Sequence, residues 1–485
     1  MIIKFISTIL IISLLIIKSP VIGICQSKAL YQKTPKNVLF IIVDDLNTML
    51  GCYGDPNVKS PNIDRLAKMG VRFDRSYCQY PLCNPSRSSF LSGKRPENLG
   101  IYNLTTSART VLPDGIFLPE YFRKKGYFTA GAGKVFHSTK MNDTRSWDFY
   151  EDGSSKDPQE LAALKNRAEG ADGRPAWQIL DGDGSLTRDG MNRVTIANFI
   201  NSKLSTKQPF FLSIGFHKPH LPWTAPKRFF DLYDTKKINI AKEPVMKNVP
   251  SIALQTELTG FEQPNNRLEA MKAYFACISS TDYQIGQLLN QLDTLQLWDN
   301  TIVVLIGDNG FHLGDHNGLW AKLSAFDNST RVPMIFAGAQ IAKGKVINSP
   351  VELVDIYPTL LELCGFEKND KLDGNSLVKA LTTNEALVFK YAKSMVFHFD
   401  TSTRKDVMSQ TVIAKQWRFT TWNNKDIGNE LYQKSKGGEY LNQVKNPAMK
   451  YIVNEATNIL KKMDSIKPGI ANRPRALTTV KEKVD

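Results

Sequence analysis

Cys83-Asn84-Pro85-Ser86-Arg87, continued by Ser88 to Gly93, holds more chemistry in less length than any other stretch of this chain. Pro85 suits the first turn of a helix, small residues follow it, and Gly93 can end the helix. Cys83 then sits at a helix N-terminus, where free N–H groups and aligned peptide dipoles favour an anion. Arg87, one turn on, can point to the same anion. Taken alone, Cys83 reads as a buried or disulfide-bonded cysteine; its spacing to Arg87 argues otherwise. The other reactive side chains follow apolar runs. Asp44-Asp45 comes after Asn37–Val43, His217-Lys218-Pro219-His220 after Pro209–Phe216, and Gly307-Asp308-Asn309-Gly310 after Thr301–Ile306. Two adjacent carboxylates past a buried strand repel one another unless a cation lies between them. That favours a metal over a helix cap or a solvated turn, because ligands gather at strand carboxyl ends. A glycine-rich turn, Gly131-Ala132-Gly133, delivers Lys134 and His137. Of the six histidines, His137, His217, His220, His312 and His316 flank these loops, an unusual concentration for residues that only fill space.

The elements that must position these side chains are legible as patterns. The three apolar runs are continuous and rich in β-branched residues, as buried parallel strands are. Val332–Phe336 reads as a fourth strand and Tyr127–Ala130 as a short one. Ser60-Pro61 starts a helix, residues 117–125 form another, and residues 267–295 carry the apolar spacing of a long amphipathic helix. Residues 141–190 are polar and read as a surface excursion, of the kind that chooses a substrate when it lies beside a site. A helix around Asp355–Leu361 closes a large domain near residue 370. Beyond it, strand-like pieces at Ser394–Phe399 and Gln416–Trp422 and a helix at Pro447–Met463 predict a small antiparallel sheet with a covering helix. The expected division is therefore 36–370 and 371–485.

Hydrophobic content of 42% and charged content of 22% are ordinary. A net charge of +15 is not, and it implies a polyanionic partner. Zinc-finger spacing, RNA-binding aromatic signatures and long Lys/Arg blocks are all missing from the sequence, which argues against nucleic acid and toward an acidic polysaccharide. Lys4, the apolar run Phe5–Ile17 and Val21-Ile22-Gly23 read as an export signal over residues 1–24, too short for a stable membrane span. Cys25 offers a lipid-anchor site, but Ile24 before it is bulky, so simple export to a periplasm or the exterior is the better reading. Cys52 and Cys78 could pair.

Cys-x-Pro-Ser-Arg with Leu91 and Gly93 downstream closely resembles the signature of the formylglycine-dependent sulfatases, and the likeness extends from about Asn37 to Gly365. It implies an α/β fold: the alkaline-phosphatase-like sandwich with a mostly parallel central sheet and a smaller C-terminal domain. It implies that a formylglycine-generating maturation enzyme oxidises Cys83 to an aldehyde, whose hydrate is the nucleophile. Asp44, Asp45, Asp308 and Asn309 resemble the family's ligands for one divalent ion, usually calcium, with the modified Cys83 adding an oxygen. Oxygen donors alone also fit a hard cation on chemical grounds. Charge suggests the remaining roles. Arg87 would hold the hydrate, while Lys134 and Lys322 neutralise the sulfate. His217 would protonate the leaving alcohol, and His137 would orient or deprotonate the hydrate. Lys218, His220 and His316 are expected in the substrate pocket.

Three stretches, Gly133–His137, His217–His220, and Leu313–His316 with Trp320–Lys322, resemble iduronate-2-sulfatases; Asn309 stands where the human-type enzyme has His. The expected activity is hydrolysis of a sulfate ester on a sulfated carbohydrate such as a glycosaminoglycan, at the 2-O-sulfate of a uronic acid. One rival is a phosphate or phosphonate ester hydrolase on the same fold. The other is an exported polysaccharide binder without catalysis, disfavoured because the nucleophile and metal ligands are all present.

Overall fold

The computed structural model describes residues 36–169, 177–204, 206, 208–240, 242–255, 264–385, 390–400, 405–422, 427–434 and 438–461. The expected export signal and Cys25 lie outside them. The central sheet has eight strands, in chain order β1 (Asn37–Val43), β2 (Gly70–Phe73), β3 (Phe128–Gly133), β4 (Phe149–Glu151), β5 (Phe210–Phe216) and β6 (Thr301–Gly307). After a hairpin of β7 (His312–Asp315) and β8 (Leu319–Ala321), β9 (Met334–Gly338) and β10 (Lys345–Ile347) complete it. Their spatial order is β10-β2-β9-β6-β1-β5-β3-β4. β1 pairs in parallel with β5 and β6, and β3 in parallel with β5 and β4. Only β9 runs against its neighbours β6 and β2.

The eight helices used below are α1 (Pro61–Met69), α2 (Cys83–Ser92), α3 (Leu118–Lys124), α4 (Pro158–Glu169), α5 (Arg188–Lys203), α6 (Pro264–Thr294), α7 (Ile356–Leu363) and α8 (Lys450–Lys461). Successive side chains of β1 enter two different cores. Leu39, Ile41 and Val43 pack with α1, α5 and α6, while Val38, Phe40 and Ile42 pack with α2, α3 and α7. A strand covered on both faces has no solvent side, which is why β1 shows no polar alternation.

The C-terminal region forms a four-stranded antiparallel sheet of β11 (Tyr391–Asp400), β12 (Lys405–Ala414), β13 (Trp417–Trp422) and β14 (Glu430–Gln433), in that order. Helix α8 lays Ile452, Ala456 and Leu460 against Val412, Phe419 and Leu431. The sequence reading misses β12 because Ser409 and Thr411 are buried there among its apolar residues, which spoils the period of two. The described residues of 141–190 also hold more regular structure than a surface excursion. β4 extends the central sheet, α4 follows, Trp177–Leu180 pairs with Trp223–Pro226, and α5 begins at Arg188. Their polarity reflects exposed outer faces and a cleft wall. Gly131 and Gly133 belong to β3 itself instead of a turn after it. Cys52 and Cys78 are both free thiols. No helix among the described residues is long and apolar enough to cross a membrane.

Candidate active site

Parallel strands end at one edge of their sheet, so whatever follows β1, β3, β5 and β6 converges there. Asp44 and Asp45 follow β1, Lys134 and His137 follow β3, His217 to His220 follow β5, and Asp308 and Asn309 follow β6. Helix α2 begins at Cys83 as its proline spacing predicts, and every one of its residues is buried. Gly93 ends it at φ 68°, a left-handed turn that costs glycine little. The hairpin β7–β8 brings in Lys322 from the other side.

Three carboxylates, Asp44, Asp45 and Asp308, lie with oxygens within 4.8 Å of one another and essentially no exposure. Arg87 binds two of them, giving Nη2 to Asp44 Oδ1 at 3.1 Å and Nε to Asp308 Oδ2 at 2.8 Å. Its Nη1 goes to the backbone carbonyls of Lys134 and Val135. Arg87 therefore reaches the acid cluster and not the thiol, because a buried guanidinium must have its charge and N–H groups matched. Lys134 Nζ donates to Asp44 Oδ2 at 2.6 Å. Lys322 Nζ donates to Asp45 and lies 3.0 Å from Cys83 Sγ.

Asp45 takes φ 57°, a costly conformation for a non-glycine residue that persists only where neighbours hold it. They do so here. Its N–H donates to Asp308 Oδ1 at 3.0 Å, and its carbonyl accepts from the Tyr274 hydroxyl at 2.7 Å. Asn309 Nδ2 donates to Asp45 Oδ1 at 2.7 Å, leaving Asn309 Oδ1 buried with no partner. An orphaned amide oxygen beside three clustered carboxylates is the donor set a hard divalent cation takes. These residues fit calcium.

Charge shifts agree with that geometry. Burial, then Asp44 and Asp45, hold Asp308 above its ordinary range against the pull of Arg87. Burial also disfavours ionised Asp44, but Lys134, His220 and Arg87 outweigh it and keep this carboxyl well below its usual value. Burial and the Asp44 carboxylate push the Cys83 thiol far up, so unmodified cysteine stays protonated and inert at neutral pH. Burial, then Lys134, lowers His137 to about 3, and its buried Nδ1 has no partner. The ring is neutral at physiological pH.

The cleft over this cluster has a volume of about 340 Å³. Cys83, Lys134, His137, His217, Lys218, His220 and Lys322 all line it. His220 comes within 4.8 Å of Cys83 and Asp44. Lys218 gives Nζ to the Pro222 carbonyl at 2.5 Å, on the cleft wall. His316 does not line this cleft. It sits at the tip of the β7–β8 hairpin, facing a separate cavity with its ring stacked on Tyr440. The sequence reading also missed Asp152, Glu160 and Asp189. Asp189 accepts the backbone N–H groups of His217 and Lys218 at 2.8 and 2.9 Å and faces His217 Nδ1 at 3.2 Å. Asp152 lies 3.6 Å from His217 Nε2 and pairs with Arg188. Burial would raise Asp152, but His217 and Arg188 pull it below its ordinary value. The only signal for these residues was their place in the polar 141–190 stretch.

Residues 36–366 match the family model for sulfatases, and residues 314–466 match that described as N-sulphoglucosamine sulphohydrolase, C-terminal. A sulfatase of Formosa agariphila is 35% identical over 413 residues, spanning 76% of this chain and 79% of that one. Human iduronate 2-sulfatase is 33% identical over 381 residues, 68% of this chain and 69% of its own. Among solved structures, a 2-O GAG sulfatase superposes with a TM-score of 0.69 at 22% identity, covering 89% of this chain and 92% of that one. The phosphonate monoester hydrolase of Agrobacterium radiobacter gives 0.72 at 18% identity, over 89% and 96%. Likeness at such identities carries the fold, which is the alkaline-phosphatase-like α/β sandwich. The family itself rests on the model match over more than half the chain and on the relatives above 30% identity: this chain belongs to the sulfatases.

Proposed function

We propose that this sulfatase removes a 2-O-sulfate from a uronic acid at the non-reducing end of a sulfated oligosaccharide. The observation that carries the reading is a cleft in which Lys134 and Lys322 flank Cys83 while His217 is held between two aspartates. In its mature form Cys83 is a formylglycine hydrate. One hydroxyl of the hydrate attacks sulfur, the bond from sulfur to the sugar oxygen breaks, and the sugar leaves with a proton from His217. Loss of a proton from the second hydroxyl expels sulfate and restores the aldehyde. Lys134 and Lys322 offset the charge on the sulfate oxygens. Neutral His137 can accept a hydrogen bond from the hydrate and orient it. Asp189, on His217 Nδ1, fixes the ring with Nε2 toward Asp152, which also lines the cleft.

Asp44, Asp45, Asp308 and Asn309 would hold a calcium ion. Its contribution when bound is charge: it offsets the carboxylates and favours deprotonation of a neighbouring hydroxyl. Support for a uronate comes from the similarity to iduronate 2-sulfatase and from Arg188. That guanidinium lines the cleft and gives Nε and Nη2 to Asp152, leaving Nη1 available to a substrate carboxylate. The net charge of +15 suits a polyanion.

The test compares a 2-sulfated uronosyl disaccharide with a 6-sulfated hexosamine, alongside matched sulfate and phosphate aryl esters. The expected order is uronate far above hexosamine and sulfate above phosphate in kcat/KM, with activity lost on chelation and restored by calcium better than by zinc. Equal rates on the two sugars would end the uronate reading, and preference for phosphate would end the sulfate one.

A further inference from the structure

His316, absent from the catalytic cleft, points to a second site. It lines a cavity of about 360 Å³ together with Arg75 just past β2, Arg331 ahead of β9, Lys434 past β14, and Tyr440. The three carboxylates on its walls are already matched. Asp74 pairs with Arg72 at 2.8 Å, Asp327 with Lys434 at 2.6 Å, and Glu439 with Arg418. Two guanidinium groups are left over. Among the described residues the Arg75 side chain makes no hydrogen bond or ion pair. Arg331 gives Nε to the Asp74 carbonyl at 2.6 Å and has no carboxylate within ion-pair distance. The wall therefore carries Arg75 with no partner and Arg331 with no direct ion pair beside partly enclosed space, an arrangement that can take an oxyanion.

The histidine adds a second, independent observation. His316 is 6% exposed, its Nδ1 faces Asp315 at 2.8 Å, and its buried Nε2 has no partner. With Nδ1 protonated toward Asp315, Nε2 of the neutral ring accepts from a hydroxyl, and in the charged ring it donates to an oxyanion. Tyr440 lies flat against the ring at 4.9 Å and fixes its orientation. A ligand carrying both hydroxyls and an anionic group answers both observations.

The cavity also stands in a definite relation to the catalytic cleft. β2 is antiparallel to β9, which is antiparallel to β6, so β2 ends at the same sheet edge as β1. Three strand steps separate them, roughly 14 Å at the usual spacing. The hairpin that holds His316 at its tip holds Lys322 at its base.

We propose that this cavity is a second carbohydrate subsite, taking a sulfate- or carboxylate-bearing sugar unit of the chain whose end occupies the catalytic cleft. The proposal rests on the sulfated-carbohydrate reading above. It makes the enzyme selective for oligosaccharides long enough to reach from one site to the other.

The test is calorimetric binding of a hexasaccharide of alternating uronate and sulfated hexosamine to the wild-type chain, Arg75→Gln and Arg75→Lys. Turnover of the 2-sulfated uronosyl disaccharide, too short to span the sites, is measured in parallel, and melting temperatures confirm that each variant is folded. Arg75→Gln is expected to bind the hexasaccharide about tenfold more weakly, the effect of losing one charge-assisted contact. Arg75→Lys, which keeps the charge, should retain most of the affinity, and disaccharide kcat/KM should be unchanged in both. A desulfated hexasaccharide that keeps its carboxylates identifies the anion: affinity that still depends on Arg75 assigns the carboxylate, and its loss assigns the sulfate. Unchanged hexasaccharide affinity in Arg75→Gln, or an equal fall in disaccharide turnover, overturns the subsite. If no variant turns over the disaccharide while Arg75→Gln still weakens the hexasaccharide, the uronate reading fails and the subsite stands.

Discussion

Cys83 is surrounded by groups that suit the proposed aldehyde hydrate better than a reactive thiol. It is 1% exposed, with Lys322 Nζ at 3.0 Å and the Asp45 carboxylate at 3.8 Å from Sγ. A reactive thiolate needs a lowered pKa, and here burial and Asp44 drive it upward. An aldehyde hydrate at the same position would present hydroxyls to Lys322 and to the carboxylate cluster. Peptide mass spectrometry of active protein is expected to show residue 83 as formylglycine or its hydrate. Cys83→Ala should lose turnover with its melting temperature within a few degrees of wild type. Finding an intact cysteine at full specific activity would end the mechanism. His217 shows the same economy, since Asp189 fixes its backbone and one ring nitrogen together.

The strands act as rulers at the next scale, and close contact between them sets where the site residues fall. Gly215, on β5, pairs with Gly133 on β3, and its carbonyl accepts the Lys134 N–H at 2.8 Å. A Cβ at Gly215 would meet the Lys134 carbonyl oxygen at 1.9 Å and the Val135 nitrogen at 2.6 Å. Both are backbone atoms, which have nowhere to go without parting the strands. Gly215→Ala should therefore destabilise the fold by about 1–3 kcal/mol and lower kcat by at least about tenfold, because a displacement near 1 Å at a positioned group is costly. Ser213→Ala on the same strand is the control. Its buried hydroxyl has no partner, so removing it should leave stability and kcat near wild type. Thermal melts and sulfate-release kinetics on the two variants check both statements.

Taken as a whole, the molecule carries a net charge of +15 and buries histidines that the fold keeps neutral. His398, on β11, has Nδ1 3.1 Å from Gln255 Oε1, and burial lowers it from 6.5 to about 4. The unfolded chain binds a proton between those values that the folded chain refuses, so stability falls as pH drops from 6.5 toward 4. One such group contributes on the order of 3 kcal/mol by the lower end, and self-repulsion of a basic protein adds to it as carboxylates are protonated. Denaturant melts at pH 7.5, 6, 5 and 4 (chosen to bracket roughly that window) should show this loss. In His398→Asn the loss should be shallower, and an unchanged slope would refute the assignment.

Local spacing decided a good deal. Cys83 and Arg87 lie one helical turn apart in any helix that contains both. Six consecutive apolar residues, Val38–Val43, running into Asp44 make a strand buried on both faces whatever its neighbours are. The same holds for β5, β6, α1 and α6, whose patterns are complete within single segments. Tertiary structure decided everything that depends on which segments meet. The sheet order β6-β1-β5-β3 is not the chain order, so no spacing rule places Lys322 on Cys83 across 239 residues or Arg87 on Asp308 across 221. Arg87 went to the acid cluster because buried charge must be matched by whatever lies near. His316 left the catalytic cleft because the hairpin carries its tip away from Lys322 at its base. Asp152, Arg188 and Asp189 entered the cleft from a stretch whose polarity looked like solvent exposure. In each case the deciding energy is a contact between residues far apart in the chain, and a one-dimensional pattern holds no record of such contacts.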